Sequence, residues 1–188
     1  MMSVGFSIVQ TGIIIVTRIF LFFWELCVFK AQPQDFPASN AFLKFVIAAY
    51  LPLGIVITSI GMPIASALLA ATVETILLGA LSYLILWGKL LTKRWPQTAA
   101  ALFGSGVVLT LISLPLIVWT TTLREGDAAP AIFVLLLYSI AAWGVAVKAH
   151  ILRHAMSTSL VVGAALALIY WYISISVFRT LFPPAAGA

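Results

Sequence analysis

An all-α, polytopic transmembrane bundle is the fold this sequence predicts, on three observations. Charged residues make up 8% of the 188 positions and hydrophobic ones 63%, with a mean hydropathy of +1.18. A soluble domain devotes about 25% of its residues to charge and just under half to apolar types. Continuous apolar runs recur at close to the roughly 20 residues that a helix needs to cross the hydrocarbon. Alternating barrel patterning is absent, so each run satisfies its own backbone hydrogen bonds as a helix.

The chain reads as a single membrane domain, residues 1–188, with a five-span bundle over 42–182. The first span runs from about Phe42 to Ile60 and ends at Gly61-Met62-Pro63, where both helix punctuators stand together. The second runs from about Ile64 to Gly88 and is followed by Lys89, Lys93 and Arg94. The third covers about Gln97 to Thr120 and closes at the polar loop Arg124-Glu125-Gly126-Asp127. The fourth, about Pro130 to Ile151, is bounded by Arg153 and His154; the fifth, about Thr158 to Phe182, stops at Pro183-Pro184.

Residues 3–30 admit two readings. The run from Ile8 to Phe29 is apolar enough to span, yet Ser7, Gln10, Thr11, Thr17, Arg18 and Glu25 share one sector at 100° per residue. One reading is an amphipathic helix lying in the cytoplasmic interface. The other is a sixth span whose polar stripe faces the bundle. Both leave Lys30 and Lys44 on the same side, so charge does not choose between them. Pro33 and Pro37 then force an extended connector before the first span.

Charge placement predicts orientation. With five spans, eight of the ten basic residues (Arg18, Lys30, Lys44, Lys89, Lys93, Arg94, Lys148 and Arg153) fall on one side, and Arg124 and Arg179 on the other. The positive-inside rule makes the first side cytoplasmic and sends the C-terminus outward. Trp87, Trp95 and Trp119 fall near the predicted interfaces, where amphipathic rings belong. Basic residues scattered at helix ends do not form a nucleic-acid-binding face. Single Cys27 excludes an intramolecular disulfide or a multi-cysteine metal cluster. The first 17 residues lack the basic n-region of a signal peptide.

Glu74 is the residue that stands out. No other charge occurs between Phe45 and Gly88, and a carboxylate at the bilayer centre costs roughly 2.5–3.5 kcal/mol on insertion scales. It lies about 16 Å into its span at the helical rise. Two roles are open: a protonatable site in a transport or coupling pathway, or a hydrogen-bonded carboxyl locking two helices together. Ala67, Ala71, Thr75 and Gly79 form a small-residue stripe at i, i+4 spacing beside it, which favours close helix contact and the packing role.

Other groups carry less. His150 and His154 stand at i, i+4 in KAHILRHAM, within reach of one metal, but no carboxylate or thiolate lies near them in sequence. A polar helix cap is the better reading. Lys89, Lys93, Arg94, Lys148 and Arg153 are candidates for contact with anionic lipid headgroups. Gly104-Ser105-Gly106 resembles the flexible serine segment of rhomboid-type proteases, but the histidines lie at the end of another span. Walker, dinucleotide and haem motifs do not occur, nor do internal repeats. No cofactor and no enzymatic activity are expected.

The sequence of an oily N-terminal helix, the connector KAQPQDFPAS and five close-set spans resembles the Yip family of Ypt/Rab-interacting membrane proteins. The passage through Lys89 to Trp95 into ALFGSGVVLTLISLPL is similar to that family's second and third spans. VLLLYSIAAWGVAVKAHILRHAMSTSLVVGAALA resembles its fourth span and the start of its fifth. The resemblance implies a bacterial-type member in the inner membrane, since the cytosolic N-terminal region of eukaryotic relatives is short and apolar here. It favours the interfacial helix over the sixth span and carries over no catalytic residues. The expected function is a non-enzymatic scaffold or accessory protein in the lipid bilayer, contacting itself or another membrane protein. The alternative is a small transporter or channel subunit that uses Glu74. A polar file converging on Glu74 favours transport; a dry, closely packed contact favours the scaffold.

Overall fold

The computed structural model describes residues 17–36, 38–123 and 130–183. The described residues are helical with turns and no strand. Residues 17–27 form α1, followed by a 3-10 turn at Pro33–Asp35. Five long helices follow: α2 (Asn40–Thr58), α3 (Ile64–Gly88), α4 (Trp95–Thr120), α5 (Ala131–Ala155) and α6 (Leu160–Leu181). All five are long and apolar enough to cross a membrane. The expected span boundaries agree to within a few residues. The largest difference is α5, which takes in Arg153 and His154 as its last turn rather than ending before them.

Local chemistry accounts for the ends. Ser39 and Ser159 cap α2 and α6 by accepting from Phe42 N (3.3 Å) and Val162 N (3.4 Å). Pro63 and Pro130 precede α3 and α5, where a fixed φ suits the entry to a helix. Phe29, Leu90 and Ser157 all have positive φ (63°, 58° and 51°) just past a helix end. Behind each, an amide reaches back five residues: Lys30 N to Glu25 O, Leu91 N to Leu86 O, Thr158 N to Arg153 O. These are left-handed helix closures made without glycine.

The long helices close into a ring. α2 packs on α3 and α4, α4 on α5, α5 on α6, and α6 returns to α3. α4 is the most buried of them. Close approach rests on glycines facing bulk. A Cβ at Gly104 would overlap the ring of Phe23, one at Gly106 would lie 2.7 Å from Tyr50 Cε2, and one at Gly163 would strike the Ala149 carbonyl.

Residues 17–36 fill the end of the bundle that carries Lys89, Lys93, Arg94 and Arg153, the basic end. Phe23, Leu26 and Cys27 are buried. Trp143 Nε1 donates to the Cys27 carbonyl (2.8 Å), Gln34 Nε2 to His154 O (2.7 Å) and Gln97 Nε2 to Phe36 O (3.0 Å). Arg18 and Glu25 are exposed. The choice between an interfacial helix and a sixth span turns on residues 3–16, which lie outside the described residues.

Candidate intramembrane site

Glu74 sits near the middle of α3 with its carboxylate turned toward α6. The Tyr170 hydroxyl donates to Oε1, and Ser174 Oγ donates to Oε2 at 2.7 Å. Positions 170 and 174 are one turn apart on the same face of α6, so both hydroxyls reach one carboxylate. An ionised carboxylate offers about four acceptor positions. Two hydroxyls leave the rest for another partner.

That partner has room. A cavity of about 450 Å³ extends from Glu74 past Tyr50, Thr58 and Ala71 to Phe178 and Arg179, at the ends of α2 and α6. A second, of about 240 Å³, is lined by Gly106, Ser113 and Lys148 and shares the walls Tyr50, Thr110 and Trp171 with the first. On the other side of Tyr170, toward the basic end, the space among Ser82, Leu102, Lys148 and Leu152 shrinks to about 10 Å³. That is about one water's worth. The bundle is hollow from Glu74 to the Arg179 end and packed from Tyr170 to the basic end.

Lys148 completes the cluster. It lies about two turns before α5 ends, too far in for a simple headgroup contact, and its Nζ stands 5.6 Å from the centroid of the Tyr170 ring. The headgroup role expected for it gives way to an interior position: the side chain runs back past Gly144, where a Cβ would be 4.0 Å from Nζ. A glycine one turn earlier clears that path. Tyr170, itself 6% exposed, thus has a cation over its ring and a carboxylate at its hydroxyl. Each helix of the ring supplies a member: Tyr50, Glu74, Thr110, Lys148, and Tyr170 with Ser174.

The other expected residues lie around this site rather than in it. Ala67 and Ala71 are buried, and Ala71 Cβ would be 3.5 Å from a Cβ at Gly54 of α2. Thr75 Oγ1 donates to Ala71 O (2.7 Å), within its own helix. A Cβ at Gly79 would sit at an ordinary 3.8 Å from Phe103, and the Gly79 carbonyl accepts from Trp95 Nε1 (3.2 Å). The stripe therefore faces α2 and α4 while Glu74 faces α6. Lys89 and Lys93 are exposed and Arg153 is half-buried. Arg94 Nη1 donates to Ala155 O (3.2 Å) and Ser157 Oγ (3.1 Å), closing the end of α5.

His150 is buried, with Nε2 3.0 Å from the Ala31 carbonyl, and its ring centroid lies 4.6 Å from that of His154. Among the described residues no group of three His, Cys, Asp or Glu is placed to hold a metal. Ser105 is buried and donates to Leu102 O (3.1 Å), so its hydroxyl serves its own helix. Gly104-Ser105-Gly106 is a notch that admits Phe23 and Tyr50.

Sequence reasoning missed Tyr50, Tyr170, Ser174 and the inward turn of Lys148. A signal existed for the last three: a Tyr/Ser pair at i, i+4 in an otherwise oily span, and a lysine two turns short of a helix end. No protein-family model, curated protein or solved structure matches the chain.

Proposed function

We propose that this integral membrane protein binds a small solute in the cavity beside Glu74 and moves it across the bilayer, with Glu74 as the coupling group. One observation carries the reading: the carboxylate, held by two hydroxyls, lines a 450 Å³ cavity that also reaches Arg179. A carboxyl kept only to lock two helices needs no such space. Intramembrane ionisable groups that face a cavity mark substrate or proton paths, and a cavity of this size is within the range of small-molecule sites. The role is non-enzymatic. The basic end is cytoplasmic by the positive-inside rule, which makes the cavity outward-facing, and the Yip-like span order supports a bacterial inner-membrane location.

Thiol labelling tests the reading. In a Cys27→Ala background, Ser174→Cys should react with a membrane-impermeant methanethiosulfonate added from outside, because the cavity is wet. Protection of that thiol in intact cells, with reaction after unfolding, means a dry helix contact and defeats the transport reading.

A second reading, a scaffold that packs on a second copy or on another membrane protein, is favoured by one feature of α5. Residues 134–139 are exposed on every side of the helix. Cysteine crosslinking from Leu135 or Tyr138 in native membranes should yield a discrete dimer if that reading holds; monomer alone argues against it.

A further inference from the structure

We infer, resting on the cavity-binding reading above, that the solute is an apolar organic cation: an ammonium or phosphonium centre carried on hydrophobic substituents. Sign comes first. At the floor of the larger cavity the charged group is Glu74, with lone pairs left over after Tyr170 and Ser174 have donated. Arg179 is exposed at the mouth, in the last turn of α6, where water and headgroups screen it. Lys148 lines the neighbouring cavity and stands over the ring of Tyr170, not at the carboxylate. An anion pushed that deep would meet Glu74 first, because Lys148 stands behind the Tyr170 ring and opens on the neighbouring cavity. A cation that displaces the cavity's water would meet a counter-charge between largely apolar walls, where the attraction is stronger than in bulk water.

The walls point to the same class. Tyr50, Trp171 and Phe178 line the cavity together with the carboxylate. Aromatic faces attract a cation and bury its apolar substituents at once. Tyr50 is a fixed wall: its ring packs edge-on to Phe103 at 5.0 Å and fits against Gly106. Trp171 belongs to both cavities, so a bulky ligand spreads its substituents along it. Apart from Thr58, Thr110, Ser174 and the charged pair, the lining is aliphatic or aromatic, which a strongly hydrated metal ion or amino acid would not match.

Tetraphenylphosphonium and tetraphenylborate, alike in shape and opposite in charge, test this by equilibrium dialysis against the full-length protein in nanodiscs. Saturable binding of the phosphonium at one site is expected. Glu74→Gln should weaken it at least about tenfold, equivalent to about 1.4 kcal/mol, while keeping one amide oxygen to accept from Tyr170 and an NH2 that can donate to Ser174 Oγ. Trp171→Leu, at a half-exposed wall position, should weaken it several-fold without touching the carboxylate network. Undiminished phosphonium binding in both variants, or none in the wild type, overturns the inference. Saturable binding of the borate instead, with Ser174→Cys still labelled from outside, overturns the ligand class and leaves the cavity reading intact. Failure of both ions together with a protected Ser174→Cys brings down both.

Discussion

Tyr170 on α6 donates its hydroxyl to the carboxylate of Glu74 on α3, 96 positions earlier in the chain. The contact ties the last helix back to the second of the five long ones and closes their ring at mid-bundle. It also sets the boundary between the hollow half of the molecule and the packed half.

Glu74→Leu should leave the Tyr170 and Ser174 hydroxyls without their acceptor and lower stability in detergent by about 1–2 kcal/mol, the scale of interhelical hydrogen bonds in membranes. Glu74→Gln should cost less. Paired with Tyr170→Phe in a double-mutant cycle, Glu74→Leu should show a non-additive term of about 1 kcal/mol. Strict additivity in thermal or denaturant melts would mean that the two residues do not interact in the folded protein.

Small-residue contacts rank differently from what the α3 stripe alone implies. Gly163→Ala should destabilise strongly, because the added methyl meets the Ala149 backbone carbonyl, which cannot swing aside. Gly79→Ala should be tolerated, since its nearest neighbour is a ring atom at 3.8 Å. Ala71→Leu should impair folding by forcing α2 away at Gly54. Detergent-resistant yield of the three variants is the measurement; an equal yield for Gly163→Ala and wild type would contradict the α5–α6 contact.

Leu90 and Ser157 hold left-handed backbone at helix ends, a conformation that costs a residue with a Cβ roughly 1–2 kcal/mol. Leu90→Gly should therefore raise the melting temperature or leave it unchanged, whereas Ser157→Gly also gives up the Oγ that accepts from Arg94 and should gain less. The gain is bounded by the greater freedom glycine adds to the unfolded chain. A clear loss for Leu90→Gly would show that Leu90 stabilises through its side chain rather than straining the cap.

Arg94→Ala should cost about 1 kcal/mol, because it removes the guanidinium that closes α5 at Ala155 O and Ser157 Oγ. Lys93→Ala, one position away and exposed, should leave stability unchanged. Hydrogen exchange at residues 153–158 should quicken in the first variant only.

A reporter active only in the cytoplasm, fused after Ala188, should be silent, and the same reporter in the loop at Lys93 should be active. The reverse pattern would invert the proposed orientation and turn the cavity to the cytoplasm.

Five spans were legible because hydrocarbon imposes a one-dimensional rule: about 20 apolar residues, with the backbone satisfied within each helix. The stretch from Ile64 to Gly88 reads the same in sequence and structure. Glu74 was legible for a related reason, since a lone carboxylate in such a run is too costly to be incidental. Ser174 was not, because a serine or threonine hydroxyl inside a helix can turn back to its own backbone, as Thr75, Ser105 and Ser176 do here; Tyr170 was not, because a tyrosine in an oily span can equally face lipid, as Tyr172 does. Which hydroxyls instead face the carboxylate depends on how α6 is rotated against α3. Lys148 shows the same division. Its place in the chain groups it with the basic residues at a helix end, while the path left open at Gly144 turns it toward Tyr170. Length and hydropathy determined the helices and named one costly charge; the closing of the ring, a matter of glycine notches and side-chain volume between residues far apart in the chain, decided what that charge touches and that a cavity opens beside it.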